Sequence, residues 1–213
     1  MKLQLALDRM EIAEAVELTR KVEDSIDWIE VGTSLIKEFG IASIKEMKQA
    51  FPNKQILADI KTIDNARYEF ELCFEAGADV ATVMGVSPLV TIDICMEVAN
   101  RYHKKVMIDL LNTSDEQKRE LRKYKDAIFC EHVSKDQQEE SGSQNHGTGQ
   151  GVFSGFQVAA AGGINLDSIE DLAKSLNPAV VIIGSAITKA VNPSEAAAKF
   201  KQLILQTEGI KAC

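Results

Sequence analysis

Eight short apolar runs, alternating with stretches of helical period, constrain this chain more than any other feature. Leu3–Leu7 alternates at strand period and stops at Asp8, and Met10–Val22 then repeats apolar residues at helical spacing. Asp27–Val31 reads as the second strand, with a helix from Gly32 to about Ala50, and Gln55–Ala58 as the third, with a helix from Asn65 to Ala76. Ala78–Met84 and Leu89–Tyr102 form the fourth pair, Lys105–Leu110 and Asp115–Tyr124 the fifth. Ala127–Glu131, Phe156–Ala160 and Ala179–Ile183 complete the strands. Helices over Leu166–Leu176 and Pro193–Leu205 follow the last two, the second with proline in its first turn.

Such a rhythm in 213 residues predicts an α/β fold, a single-domain (β/α)8 TIM barrel spanning residues 1–213. A doubly wound open sheet is the alternative architecture. Residues 137–151 are polar and rich in Gly, Ser and Gln where a helix was due. Glycine costs ~1 kcal/mol per helix position relative to alanine, so a weak or shortened sixth helix, or a mobile flap, is expected there, with disorder without function the alternative to a lid.

A formal charge of -8 argues against nucleic acid or an anionic membrane as partner, although a small anion can still bind locally. No apolar run approaches the ~18 residues that span a bilayer, and the N-terminus enters charged, amphipathic sequence without a signal pattern, so the expected location is cytoplasmic. Cys73, Cys95, Cys130 and Cys213 are scattered with no C-x-x-C pair. The first three are expected to be reduced core thiols rather than zinc ligands.

A barrel gathers the carboxyl ends of its strands at one mouth, so polar residues should collect where the strands end. Asp8 closes the first, Glu30 lies in the second, Asp59 and Lys61 end the third, Asp109 the fifth, and His132 follows the sixth. Two residues apart on a strand, Asp59 and Lys61 should point the same way. Asp64 falls near the next helix start, where a carboxylate meets free N–H groups. The same D-x-K-x-x-D spacing also serves a surface salt bridge followed by a helix cap. Convergence from several strands favours a site, because buried charges cost several kcal/mol unless paired or metal-bound. The last two strands close on Gly162-Gly163 and Gly184-Ser185, turns suited to phosphate binding by backbone N–H groups or to ordinary strand–helix connection. No Arg or Lys stands directly in either loop, so a phosphate there would rely on backbone amides and Ser185.

Leu3–Asp8, Ile29–Thr33, Leu57–Asp64, Glu75–Asp79, Val106–Leu110, Ala161–Gly163 and Gly184–Ile187 together resemble 3-hexulose-6-phosphate synthase. This group is close to 3-keto-L-gulonate-6-phosphate decarboxylase, within the orotidine 5'-monophosphate decarboxylase suprafamily. The resemblance implies Mg²⁺ held by Glu30 and Asp59, with Lys61 stabilising an enediolate or donating to a substrate hydroxyl, and Asp8 orienting Lys61 and substrate hydroxyls. It implies a homodimer in which Asp64 reaches the neighbouring site. The implied reaction adds formaldehyde to D-ribulose 5-phosphate, giving D-arabino-hex-3-ulose 6-phosphate, with His132 the candidate base; a helix-cap or surface role for that histidine is the alternative.

The decarboxylase pattern has Glu in place of Asp109, Thr in place of Ala161 and Arg in place of Ser185, and these departures favour the synthase. Lys135 points less clearly, since it keeps a charge where the decarboxylase has Arg. Neither His103 nor His146 is assigned a role. A decarboxylase, or another sugar-phosphate lyase or epimerase, is the alternative activity. A non-catalytic binding barrel is more remote, because it would have little reason to keep Glu30, Asp59, Lys61 and Asp64 together.

Overall fold

In the computed structural model, which describes residues 1–134, 136 and 152–211, the first run behaves as its period requires. Along β1 (Lys2–Leu7), Leu3, Leu5 and Leu7 are fully buried against the surrounding helices, and Gln4 and Ala6 face the other way. The chain continues through α1 (Ile12–Val22), β2 (Trp28–Val31), α2 (Thr33–Phe39), α3 (Ala42–Ala50), β3 (Gln55–Thr62), α4 (Ala66–Glu75), β4 (Val80–Met84) and α5 (Leu89–Tyr102). It proceeds through β5 (Lys105–Asp109), α6 (Asp115–Leu121), β6 (Ile128–His132), β7 (Gln157–Ala161), α7 (Ile169–Ser175), β8 (Val180–Ile183), α8 (Ser185–Thr188) and α9 (Pro193–Lys211). All neighbouring strands pair in parallel, and β8 returns to β1 with Leu5 opposite Ile183, which closes the barrel and excludes the open sheet.

Strand alternation divides the apolar residues into two cores. Ile29, Phe70, Phe129 and Phe200 lie among the residues that fill the layer between barrel and helices, while Trp28, Leu57, Val80, Met107, Ile128 and Ile182 pack inside the barrel. Cys73, Cys95 and Cys130 are buried free thiols, and burial pushes the first two up to about 12. Lys135, His146, Cys213, the segment 137–151 and the weak sixth helix expected there lie outside the described residues.

Three departures have local causes. The helix expected from Gly32 to Ala50 breaks at Gly40, whose φ of 62° ends α2 and lets α3 start in a new direction. Strand β3 runs four residues beyond Ala58, through a register shift against β4 between Ala58 and Thr62. Asp64 makes no cap; Asn65, at φ 57°, is the residue preceding α4.

The end of the barrel opposite the strand termini is tied by carboxylates. Asp79 accepts from Lys48 at 2.8 Å, Lys104 at 2.6 Å and the Ile56 N–H at 3.0 Å, while Asp27 binds Lys201 at 2.7 Å and the Leu3 N–H at 2.8 Å. Burial alone would raise the Asp79 carboxyl, but bonds from Lys104 and Lys48 outweigh it and hold the group below its usual range. A lowered folded pKa adds stability above the unfolded pKa and loses it as pH falls through the folded one. Asp79→Ala is therefore expected to cost ~2–3 kcal/mol at neutral pH, with the variant and native denaturation midpoints converging in acid. Equal losses at both pH values would contradict this.

Candidate active site

The strand ends deliver their polar groups to one cleft of about 1380 Å³, whose wall includes Asp8, Glu30, Asp59, Lys61, Asp109 and His132. Gly162, Gly163, Gly184 and Ser185 line it from the β7 and β8 side. Asp64 is exposed and absent from this wall.

Lys61 is the centre of the charge arrangement. Its Nζ lies 2.6 Å from Asp109 Oδ2 and 3.2 Å from Asp59 Oδ2. Burial works against its charge, but Asp59 and Asp109 outweigh it and raise its pKa, so the ammonium keeps its proton. The backbone here is left-handed, at φ 51°, a conformation that costs a non-glycine residue ~1–2 kcal/mol. Its amide is held by Thr82 Oγ1 at 2.8 Å, which with the two ion pairs fixes the turn.

Asp59 is satisfied on both oxygens, by Thr33 Oγ1 at 2.6 Å and Thr82 Oγ1 at 3.0 Å. Glu30 projects from the adjacent strand. Burial, reinforced by the Asp59 charge, pushes its carboxyl well above the usual range. Two hard carboxylates crowded in this way are suitable donors for a divalent cation, whose charge would relieve the repulsion. Among the described residues, no group of three or more His, Cys, Asp or Glu side chains is placed to hold a metal, so such an ion would keep positions for water or substrate oxygens.

Asp109 joins Lys61 to His132. The same Oδ2 receives the Lys61 ammonium and sits 2.8 Å from His132 Nδ1, while Oδ1 accepts the Leu111 N–H at 2.9 Å. Burial would raise this carboxyl, but His132 and Lys61 hold it below its usual range. Because Oδ2 is a carboxylate acceptor, Nδ1 carries the proton and Nε2 retains its lone pair in neutral His132. Glu131, one residue earlier, faces the helices and pairs with Lys118 at 3.0 Å, as strand alternation demands.

Asp8 is held differently from expectation. Its Oδ1 accepts the Ser34 N–H at 3.1 Å and hydroxyl at 2.6 Å, and Lys61 is oriented by Asp59 and Asp109 instead. Gly32 makes that seat available: a Cβ there would lie 2.4 Å from the Leu7 carbonyl and 2.5 Å from the Asp8 carboxylate. Gly32→Ala is expected to cost ~1–3 kcal/mol and, by displacing Asp8, to lower kcat/KM by about 10²-fold. Native kinetics in that variant would show that the seat of Asp8 is irrelevant.

Sequence reasoning missed Thr33, Ser34 and Thr82. Thr82 carried a legible signal, being a polar residue at an inward position of an apolar strand. It also missed Lys189, the residue after α8, which lines the cleft on the side of Gly162 and Ser185 and adds a cation. Gly162 and Gly163 adopt φ 98° and 65°, values that L side chains rarely adopt.

Residues 1–200 match the model of the orotidine 5'-phosphate decarboxylase / HUMPS family. The 3-hexulose-6-phosphate synthase of Bacillus subtilis (strain 168) is 39% identical over 212 residues, covering 97% of this chain and all of that protein. A crystal structure of 3-hexulose-6-phosphate synthase from Salmonella typhimurium superposes with a TM-score of 0.93 at 39% identity, covering 97% of this chain and 100% of the other. The 3-keto-L-gulonate-6-phosphate decarboxylase of Vibrio cholerae shares the fold, with a TM-score of 0.86 at 24% identity over 97% of this chain and 98% of its own.

Proposed function

Since the chain belongs to the orotidine 5'-phosphate decarboxylase / HUMPS family and is a lyase of the 3-hexulose-6-phosphate synthase type, we propose that it condenses formaldehyde with D-ribulose 5-phosphate. The product is D-arabino-hex-3-ulose 6-phosphate. The observation that carries this reading is the Lys61–Asp109–His132 chain, which sets a permanent cation and an oriented base side by side on one cleft.

His132, with Nδ1–H committed to Asp109, removes the C1 proton through Nε2. The released electron pair forms the enediolate, and the ammonium of Lys61 stabilises the developing oxygen charge. C1 then bonds to the formaldehyde carbon, whose carbonyl pair moves to oxygen and takes the proton back from His132. Glu30 and Asp59 would hold Mg²⁺, and the ion would supply electrophilic polarisation of the substrate ketone. Asp8 faces the substrate hydroxyls, and the backbone at Gly162, Gly163, Gly184 and Ser185 takes the phosphate, with Lys189 on the same side.

Asp64 acts across a homodimer in this reading, which its exposure outside its own cleft and the 55% exposed neighbour Ile63 support. Subunits carrying Asp64→Ala, mixed with subunits carrying Lys61→Ala, should then recover activity that neither has alone; no recovery after verified subunit exchange would refute sharing. The function itself is tested by formaldehyde-dependent consumption of ribulose 5-phosphate, with Mg²⁺ and again with chelator. Failure to turn over, beside rapid CO₂ release from 3-keto-L-gulonate 6-phosphate, would replace the synthase by the decarboxylase.

A further inference from the structure

Gln4 is a polar side chain where an apolar one would fill the space. It is fully buried on β1, faces the barrel interior, and pairs in register with Trp28 and Ile182 of the inner core. It lies one inward position below Ala6 and takes no part in the cleft wall. Its Nε2 donates to Glu30 Oε2 at 2.5 Å, while its own Oε1 is buried without a partner. An unpaired buried acceptor carries a desolvation cost that a methionine or leucine at this position would avoid. Packing therefore does not explain the amide; the bond to Glu30 does.

We propose that Gln4 is a positioning residue that holds the Glu30 carboxylate in the orientation for binding a divalent cation. This rests on the assignment of Glu30 as a metal ligand. Gln4 engages Oε2 from below, and Oε1, which accepts no hydrogen bond and is not sealed in the interior, is left toward the cleft. A neutral amide suits the task. It donates to the carboxylate without cancelling the charge the cation needs, as a lysine would, and without adding a repelling charge, as a glutamate would.

The test measures Mg²⁺ binding by titration calorimetry on chelator-stripped protein, beside thermal melts. Gln4→Met, which keeps the volume and trades the unsatisfied Gln4 Oε1 for an unpaired Glu30 Oε2, should weaken Mg²⁺ binding about 10- to 100-fold with little change in Tm. Gln4→Asn, which keeps the amide but shortens its reach, should show the same loss of affinity and provides the test if the methionine variant does not fold. A lower Tm with native Mg²⁺ affinity would make Gln4 merely structural and overturn the proposal. Glu30→Gln separates the two levels: unchanged Mg²⁺ affinity in that variant would remove the ligand assignment itself, whereas loss there with native affinity in both Gln4 variants would remove only the role of Gln4.

Discussion

Asp59→Ala is expected to abolish turnover and Mg²⁺ binding while leaving the barrel folded. The carboxylate lies between Glu30, whose ionisation it opposes, and Lys61, whose charge it supports. Deleting it relieves a like-charge repulsion. Lys61 keeps its 2.6 Å bond to Asp109, and the Thr82 hydroxyl still accepts the Lys61 amide at 2.8 Å. Against that gain stand the lost Lys61 ion pair and the Thr33 and Thr82 hydroxyls that donated to Asp59, so the melting temperature should shift little. Activity moves far more. A lost ligand forfeits several kcal/mol of transition-state stabilisation, which at ~1.4 kcal/mol per tenfold is a fall of about 10³-fold or more in kcat. Calorimetry with Mg²⁺, a thermal melt and the formaldehyde assay check the three parts. Near-native turnover, or retained tight Mg²⁺ binding, would refute the assignment.

How far this site was legible depends on which residues signal through alternation. Asp59, Asp109 and His132 interrupt or follow apolar strands at inward positions, so period-two reading with barrel geometry brought them together. Lys61 lines the cleft by a route that alternation alone does not describe. Regular alternation suggested its direction, but the chain reaches it through a register shift and a left-handed residue that only tertiary bonds sustain. The hydroxyls of Thr33, Ser34 and Thr82 act by orienting carboxylates, and a serine or threonine at a strand or helix start has many ordinary uses. Gly40 broke a helix that periodicity read as continuous, because apolar residues on both sides keep helical spacing while the direction changes. Gln4 is the ordinary polar partner in a leucine alternation, so nothing in its strand marks it out. Its significance lay in one neighbour, Glu30, twenty-six residues away, which no local pattern connects to it.

Asp109→Asn is the sharpest test of the proton-handling side, since it preserves size and removes only the charge and one acceptor. The carboxylate accepts three bonds in two directions, from Lys61 and His132 on Oδ2 and from the Leu111 N–H on Oδ1. An asparagine cannot meet both. With its oxygen toward Lys61 and His132, its NH₂ faces the Leu111 N–H, donor against donor in a buried place. With its NH₂ toward them, it confronts the Lys61 ammonium and forces His132 to accept at Nδ1. The proton then moves to Nε2, the atom that must be free to take the C1 proton. Where an aspartate holds a catalytic histidine in its tautomer, the amide replacement costs about 10⁴-fold, so a loss of ~10³–10⁴ in kcat is expected, with KM for ribulose 5-phosphate changed far less. Nitrogen NMR of labelled His132 should show the tautomer reversed. A variant that keeps the native tautomer and more than a tenth of native kcat would show that Asp109 does not act through His132, and that another group removes the proton.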